Sequence, residues 1–240
     1  MERELSLIKS DVKETEKRVF PRFPFSYLTF KGDSDKDKVF EVKDISHSGM
    51  QLSLRDGGHK YVTGSKIKGD LRWRGLNLQA SGKVKWVSGP CLGIAFSKEK
   101  SFQNKIQCFL SIDNIISSMR PIHETLVDIE FPANLTYWLR ADGQIEVFVW
   151  QHNDHEFSKF QVIFMRQFVE WEDGKGIRTG KILSSRDMDT PLSTEDEFTF
   201  EVDKNVDEKK LDFTRTIVEK IPAGFLSEKA HEFLELKLAR

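Results

Sequence analysis

The chain has 240 residues, 38% apolar and 11% aromatic, which is enough to build one large core or two ordinary ones. No uncharged apolar run approaches the roughly 18–20 residues that a membrane-spanning helix needs, and "MERELSLIKSDVKETEKR" alternates charges where a secretion signal would be apolar, so a soluble, cytoplasmic protein is expected. The net charge of −1 conceals an asymmetry: residues 1–120 carry 22 Lys+Arg against 14 Asp+Glu, and residues 121–240 carry 15 against 24. A basic half favours an anionic ligand, and the acidic half argues against a nucleic-acid polymer as partner.

Residues 1–15 form an amino-terminal extension with a thin apolar stripe of Leu5, Ile8 and Val12. The next stretch, "EKRVFPRFPFSYLTF" (16–30), sets Arg18 and Arg22 on either side of Pro21. Proline removes a backbone donor and pushes Phe20 toward extended geometry, so neither arginine sits on a regular helix. Four extended residues span roughly 13 Å and place both guanidinium groups on one side, where they suit a ligand with several phosphate oxygens or guanine edges.

From Phe23 a period of two dominates. "FSYLTF", "VFEVKDI", "MQLSL", "KIKGDLRW", "LNLQASGKVKWV" and "CLGIAF" read as six short strands, hence an antiparallel barrel or sandwich. In "VFEVKDISHSGMQLSL" Asp44, Ser46 and Gly49 interrupt the strand where a turn is expected, and Gly49 supplies a positive φ or a close backbone approach. "SFQNKIQCFLSIDNIISSM" (101–119) changes to helical spacing and is expected to close the barrel. Cys91 and Cys108, seventeen apart, suggest neither a disulfide framework nor a zinc ribbon and are read as reduced and mostly buried.

Arg120-Pro121 marks a boundary. Beyond it, "TLVDIEF", "LTYWLR", "QIEVFVWQ", "FSKFQVIFMRQFVEW", "GIRTGKIL", "EFTFEVD" and "LDFTRTIVEKI" read as strands, with Ser227 capping a terminal helix whose apolar side is Leu226, Ala230, Phe233, Leu234 and Leu238. The long fourth segment is apolar on both parities, so both faces of its sheet must be covered. The fold expected is mainly β with α: a six-stranded antiparallel barrel with a closing helix, 16–119, then an acidic α+β domain of antiparallel sheet and terminal helix, 121–240.

Arg18-x-x-x-Arg22 followed by Asp44-x-Ser46-x-x-Gly49 resembles the two-part signature of the PilZ domain, a small β-barrel receptor for the bacterial second messenger cyclic di-GMP. "VKWVSGPCLGIAF" is similar to the late strands of that family, ending here in Gly93-x-x-Phe96. The resemblance covers about residues 16–119 and does not touch 121–240. It departs from the family in having Lys17 where many members carry Arg, which leaves one ligand or an intercalated pair open, and Ser48 where many carry Gly. It implies that Arg18 and Arg22 fork onto guanine or phosphate, that Asp44 accepts guanine donors, that Ser46 adds a hydroxyl contact, that Gly49 lets the ligand approach the main chain, and that Lys17 touches phosphate. It also implies that residues 10–25 order on binding and change the angle between the domains.

No other chemistry stands out. His152, Asp154, His155 and Glu156 lie in an expected hairpin turn and lack a defined third metal ligand. Ser46 beside His47 has no nucleophile elbow. "EDGKGIRTGK" (172–181) lacks phosphate-loop spacing and reads as a hairpin, and the five tryptophans are read as mostly core. The expectation is a non-enzymatic bacterial receptor with no metal or cofactor, binding cyclic di-GMP and passing the signal to a protein partner through residues 121–240. Homodimerisation is left open, and so are a barrel serving only protein contacts and an enzyme site within 121–240.

Overall fold

The computed structural model describes residues 27–34, 38–54, 58–125, 134–183 and 200–239. Its first unit is a closed barrel of β1 (Thr29–Gly32), β2 (Val39–Ser46), β3 (Gly49–Ser53), β4 (Lys66–Trp73), β5 (Leu76–Ser88) and β6 (Cys91–Phe96), hydrogen-bonded in the order β1-β2-β3-β6-β5-β4. All ladders are antiparallel, as the strand alternation predicts. Phe30, Phe40, Leu52, Leu71 and Trp73 fill its interior, each at most 1% exposed. Closure leaves no sheet edge in the barrel.

The expected closing helix is two helices, α1 (Lys100–Phe109) and α2 (Ile112–Ile116). The break has a local cause: Ser111 Oγ accepts from Asn114 N at 3.3 Å and starts a new helix, while Asn114 Nδ2 donates to the Cys108 carbonyl at 2.8 Å. Phe102, Ile106 and Phe109 face inward; the Phe102 ring meets Phe96 at 5.2 Å and Phe109 meets Trp73 at 5.8 Å. Cys108 therefore lies on the outer side of α1 and is exposed, contrary to expectation, whereas Cys91 is half-buried and both thiols are free.

Beyond α2 come β7 (Arg120–Pro121), α3 (Ile122–Thr125), β8 (Leu135–Ala141), β9 (Ile145–Gln151), β10 (Phe157–Phe164), β11 (Gln167–Glu172), β12 (Gly176–Ile182), β13 (Phe200–Val202), α4 (Glu208–Glu219) and α5 (Glu228–Leu238). Strands β7 to β13 form one antiparallel sheet in sequential order. The segment read as one long strand is a hairpin: Phe164 pairs with Gln167, and Met165 and Arg166 turn at φ 47° and 63°. A two-residue turn of this hand usually announces itself with Asn or Gly, and neither is present. Of the predicted strand at 125–131, Thr125 ends α3 and the rest lies outside the described residues.

"LDFTRTIVEKI" is helical, not a strand. Asp207 caps α4 by accepting from Lys209 N at 2.9 Å, and the buried positions Lys210, Leu211, Thr214, Ile217 and Val218 follow a helical period. The β-branched residues mimic a strand, but the sheet face formed by Val147, Val149, Phe160, Val162 and Val169 needs an apolar cover, which α4 and α5 supply. Ser227 caps α5 as expected, accepting from Ala230 N at 3.2 Å. The opposite face is mixed: Trp138, Phe148, Ile163 and Phe168 share it with the buried Gln161 and with the buried Glu146 and Glu170, which pair with Arg140 and Arg178, so the alternate parity of the strands is only partly apolar.

One hydrophobic cluster runs from the barrel interior into the helix-covered face of the second sheet. A buried polar clasp reinforces the junction. Asp142, 5% exposed in the β8–β9 turn, accepts from the Trp73 indole at 2.8 Å and from Arg74 Nε at 2.7 Å, and its own N–H donates to Ser118 Oγ at 2.8 Å. Lys220, just after α4, pairs with Asp113 of α2. Because Asp142→Ala strands a buried indole N–H and a partly exposed guanidinium, it should cost about 2 kcal/mol, read from urea unfolding.

A second, partly buried pair fixes the start of α4. Lys210 Nζ donates to Asp203 Oδ2 at 2.6 Å and to the Gly180 carbonyl at 3.1 Å, and Thr179 Oγ1 also donates to Asp203 Oδ2, at 2.6 Å. Burial pushes the Asp203 carboxyl up, but the hydrogen bonds from Lys210 and Thr179 and the charges of Lys210 and Lys181 outweigh it and hold the group below its usual value. With the folded value depressed, this pair stabilises the protein above the unfolded value of about 3.9, and the contribution fades as pH falls through the folded value. Thermal unfolding between neutral pH and about pH 3 should therefore drop more steeply for the wild type than for Asp203→Asn.

Candidate functional site

The β2–β3 hairpin carries the second polar cluster. Alternation from Val42, which is 0% exposed, would point residue 44 into the barrel interior. Register shifts instead: Val42 pairs with Leu52 and Asp44 with Gln51, leaving Lys43 as an extra residue. This bulge turns Lys43 and Asp44 both outward and returns Ile45, 0% exposed, to the core.

Ser46 closes the hairpin opposite Gly49 and is only 2% exposed. Its hydroxyl accepts from Ser48 N at 3.3 Å, donates to the Gly49 carbonyl at 3.3 Å and lies 3.2 Å from Ser48 Oγ. The turn residues are His47 and Ser48, and burial lowers the His47 imidazole below its usual value. Gly49 has no positive φ; a Cβ there would lie 2.2 Å from the Ile94 carbonyl of β6, so close approach of its own chain accounts for the glycine.

The outer face continues across the barrel. Gln51 pairs with Gly93 on β6, and Gly93 with Trp86 on β5, where a second register shift between Val84 and Trp86 turns Lys85 and Trp86 outward. The Trp86 indole covers Gly93: a Cβ at 93 would sit 2.1 Å from its Nε1. Trp86 remains 39% exposed, so it is not the core residue its composition suggests, unlike Trp73 and Trp138, each 1% exposed. Asp44, Gln51, Gly93 and Trp86 thus form one row over four adjacent strands, about 14 Å from end to end at the usual strand spacing. Exposed Lys43, Lys83 and Lys85 flank it.

Asp44, Ser46 and Gly49 are therefore brought together on one hairpin and one side of the barrel. Lys17, Arg18 and Arg22 lie outside the described residues. Sequence reasoning missed Gln51 and Trp86, although the run Val84-Lys85-Trp86-Val87 breaks strict alternation and signals the second bulge.

Residues 16–111 match the family model of the PilZ domain. This stretch is a PilZ domain. A solved structure described as the PilZ domain with c-di-GMP of YcgR from Escherichia coli matches over 40% of this chain and 89% of that chain, at 13% identity and a TM-score of 0.35. No curated protein matches the chain. In this PilZ barrel the signature serine and glycine both have work to do within the fold.

Elsewhere, the His152–Glu156 segment is a hairpin turn in which His152 N donates to the Glu156 carbonyl at 2.7 Å, and no group of three His, Cys, Asp or Glu among the described residues is placed to hold a metal ion. Residues 172–176 form the hairpin turn expected, with Gly174 and Gly176 at φ 73°. No helix among the described residues is long and apolar enough to cross a membrane. Because the Gly49 Cβ position is blocked by main chain rather than by a flexible side chain, Gly49→Ala should lower stability by about 2 kcal/mol in thermal or urea unfolding, with no ligand present.

Proposed function

We propose that the chain is a cyclic di-GMP receptor whose PilZ barrel binds the nucleotide on the outer face of β2–β3 and whose acidic residues 121–240 act on a protein partner. The observation that carries this reading is the gathering of Asp44, Ser46 and Gly49, within a PilZ domain, beside a flat row ending in the exposed Trp86 ring. A cyclic dinucleotide offers two phosphates and two guanines, each guanine with O6 and N7 acceptors and N1 and N2 donors. Asp44 accepts the donors, and Arg18 and Arg22 fork onto O6/N7 or phosphate. Lys17 adds charge at phosphate, and Trp86 offers a face for a purine.

Ser46 contributes mainly by fixing the turn that presents Asp44, since its hydroxyl is already engaged there. The flanking Lys43, Lys83 and Lys85 favour the anion without specifying it. Passage of the signal to residues 121–240 is supported by the continuous core and by the Trp73–Arg74–Asp142 clasp, which tie the barrel to the second sheet. That tie favours transmission through packed elements over a free change of angle between two loosely joined bodies. The protein is read as non-enzymatic and cytoplasmic.

Calorimetry with cyclic di-GMP tests the receptor reading. Binding tighter than ~100 µM, about 5.5 kcal/mol, is expected, with Arg22→Ala weakening it at least about tenfold and bound nucleotide quenching Trp86 fluorescence. Weaker binding together with indifference to Arg22→Ala would leave the barrel as a protein-contact module.

A further inference from the structure

On another side of the barrel, a cleft of about 750 Å³ opens between the outer face of β4–β5 and the helices α1 and α2. Its size falls within the roughly 300–1,000 Å³ typical of small-molecule sites. Leu76, Phe102 and Phe109 give it an apolar floor, and Leu76 remains 40% exposed. Lys68 of β4 and Lys105 of α1 stand on facing walls. Neither ammonium group enters an ion pair with a described residue, and with Glu99 at the rim the lining carries one net positive charge.

Every lining residue belongs to the first unit, between Lys68 and Asn114. Phe109 packs edge-on against Trp73 of the Asp142 clasp, and lining residue Asn114 follows Asp113, the partner of Lys220.

We infer that this cleft binds a small monoanion with an aromatic or acyl body, separately from the nucleotide face. The apolar floor takes the body, and Lys68 and Lys105 take the head. This site does not depend on the receptor reading, because none of its residues belongs to the β2–β3 face.

The exposed Cys108 thiol lines the cleft and serves as a reporter. In the full chain carrying Cys91→Ser, anilinonaphthalene sulfonate should bind saturably, one per chain, and slow iodoacetamide alkylation of Cys108 about threefold or more. Lys68→Glu with Lys105→Glu should weaken the probe at least about tenfold, and cyclic di-GMP should not displace it. The inference is overturned if no saturation is reached by about 1 mM, if alkylation is unchanged at saturation, if the double variant binds like its parent, or if cyclic di-GMP competes.

Discussion

A six-stranded barrel packed with Phe30, Phe40 and Trp73 has no room for a charge, and that exclusion shapes the outer face of β2–β3. Strict alternation through β2 would aim the Asp44 carboxylate into this interior, where an unpaired charge costs several kcal/mol. The extra residue at Lys43 moves Asp44 outside while Val42 and Ile45 stay within. A second bulge does the same for Trp86, which would otherwise have competed with Val84 and Leu92 for the same volume. Two single-residue irregularities thus convert an ordinary hydrophobic barrel into one with a carboxylate and an aromatic ring along a single exterior row.

The same tightness explains why Ser46 and Gly49 serve the fold itself. Gly49 is needed because the β6 main chain comes close, and Ser46 because the hairpin is pinned by its hydroxyl. A change at either position acts on the barrel first, so loss of ligand binding in such a variant has to be read beside its stability. Asp44 and Trp86 are better probes of recognition, since their side chains project from the barrel.

The second unit obeys a different constraint. One face of its sheet is apolar and is covered by α4 and α5, while the other mixes aromatic side chains with buried Glu146, Gln161 and Glu170. The barrel meets that covered side through its β4–β5 hairpin, where Asp142 gathers the Trp73 indole and the Arg74 guanidinium. A buried carboxylate with these donors has few alternative partners, so it fixes one arrangement of the two units more than it adds stability. The cleft beside α1 is framed in part by Phe109, which also packs against Trp73.

Sequence periodicity alone determined the six barrel strands, the hairpins at 152–156 and 172–176 and the Ser227-capped helix, because each rests on local alternation, turn residues or a cap. The polar interruption at Asp44, Ser46 and Gly49 likewise marked the β2–β3 hairpin turn. Tertiary structure decided the rest. "LDFTRTIVEKI" became a helix because a sheet face needed covering, and the 157–172 segment folded back at Met165-Arg166 without a turn residue to announce it. Trp86 and Gln51 joined the row of Asp44 only through pairing between strands distant in the chain, and no local pattern encodes which residues such pairing makes neighbours.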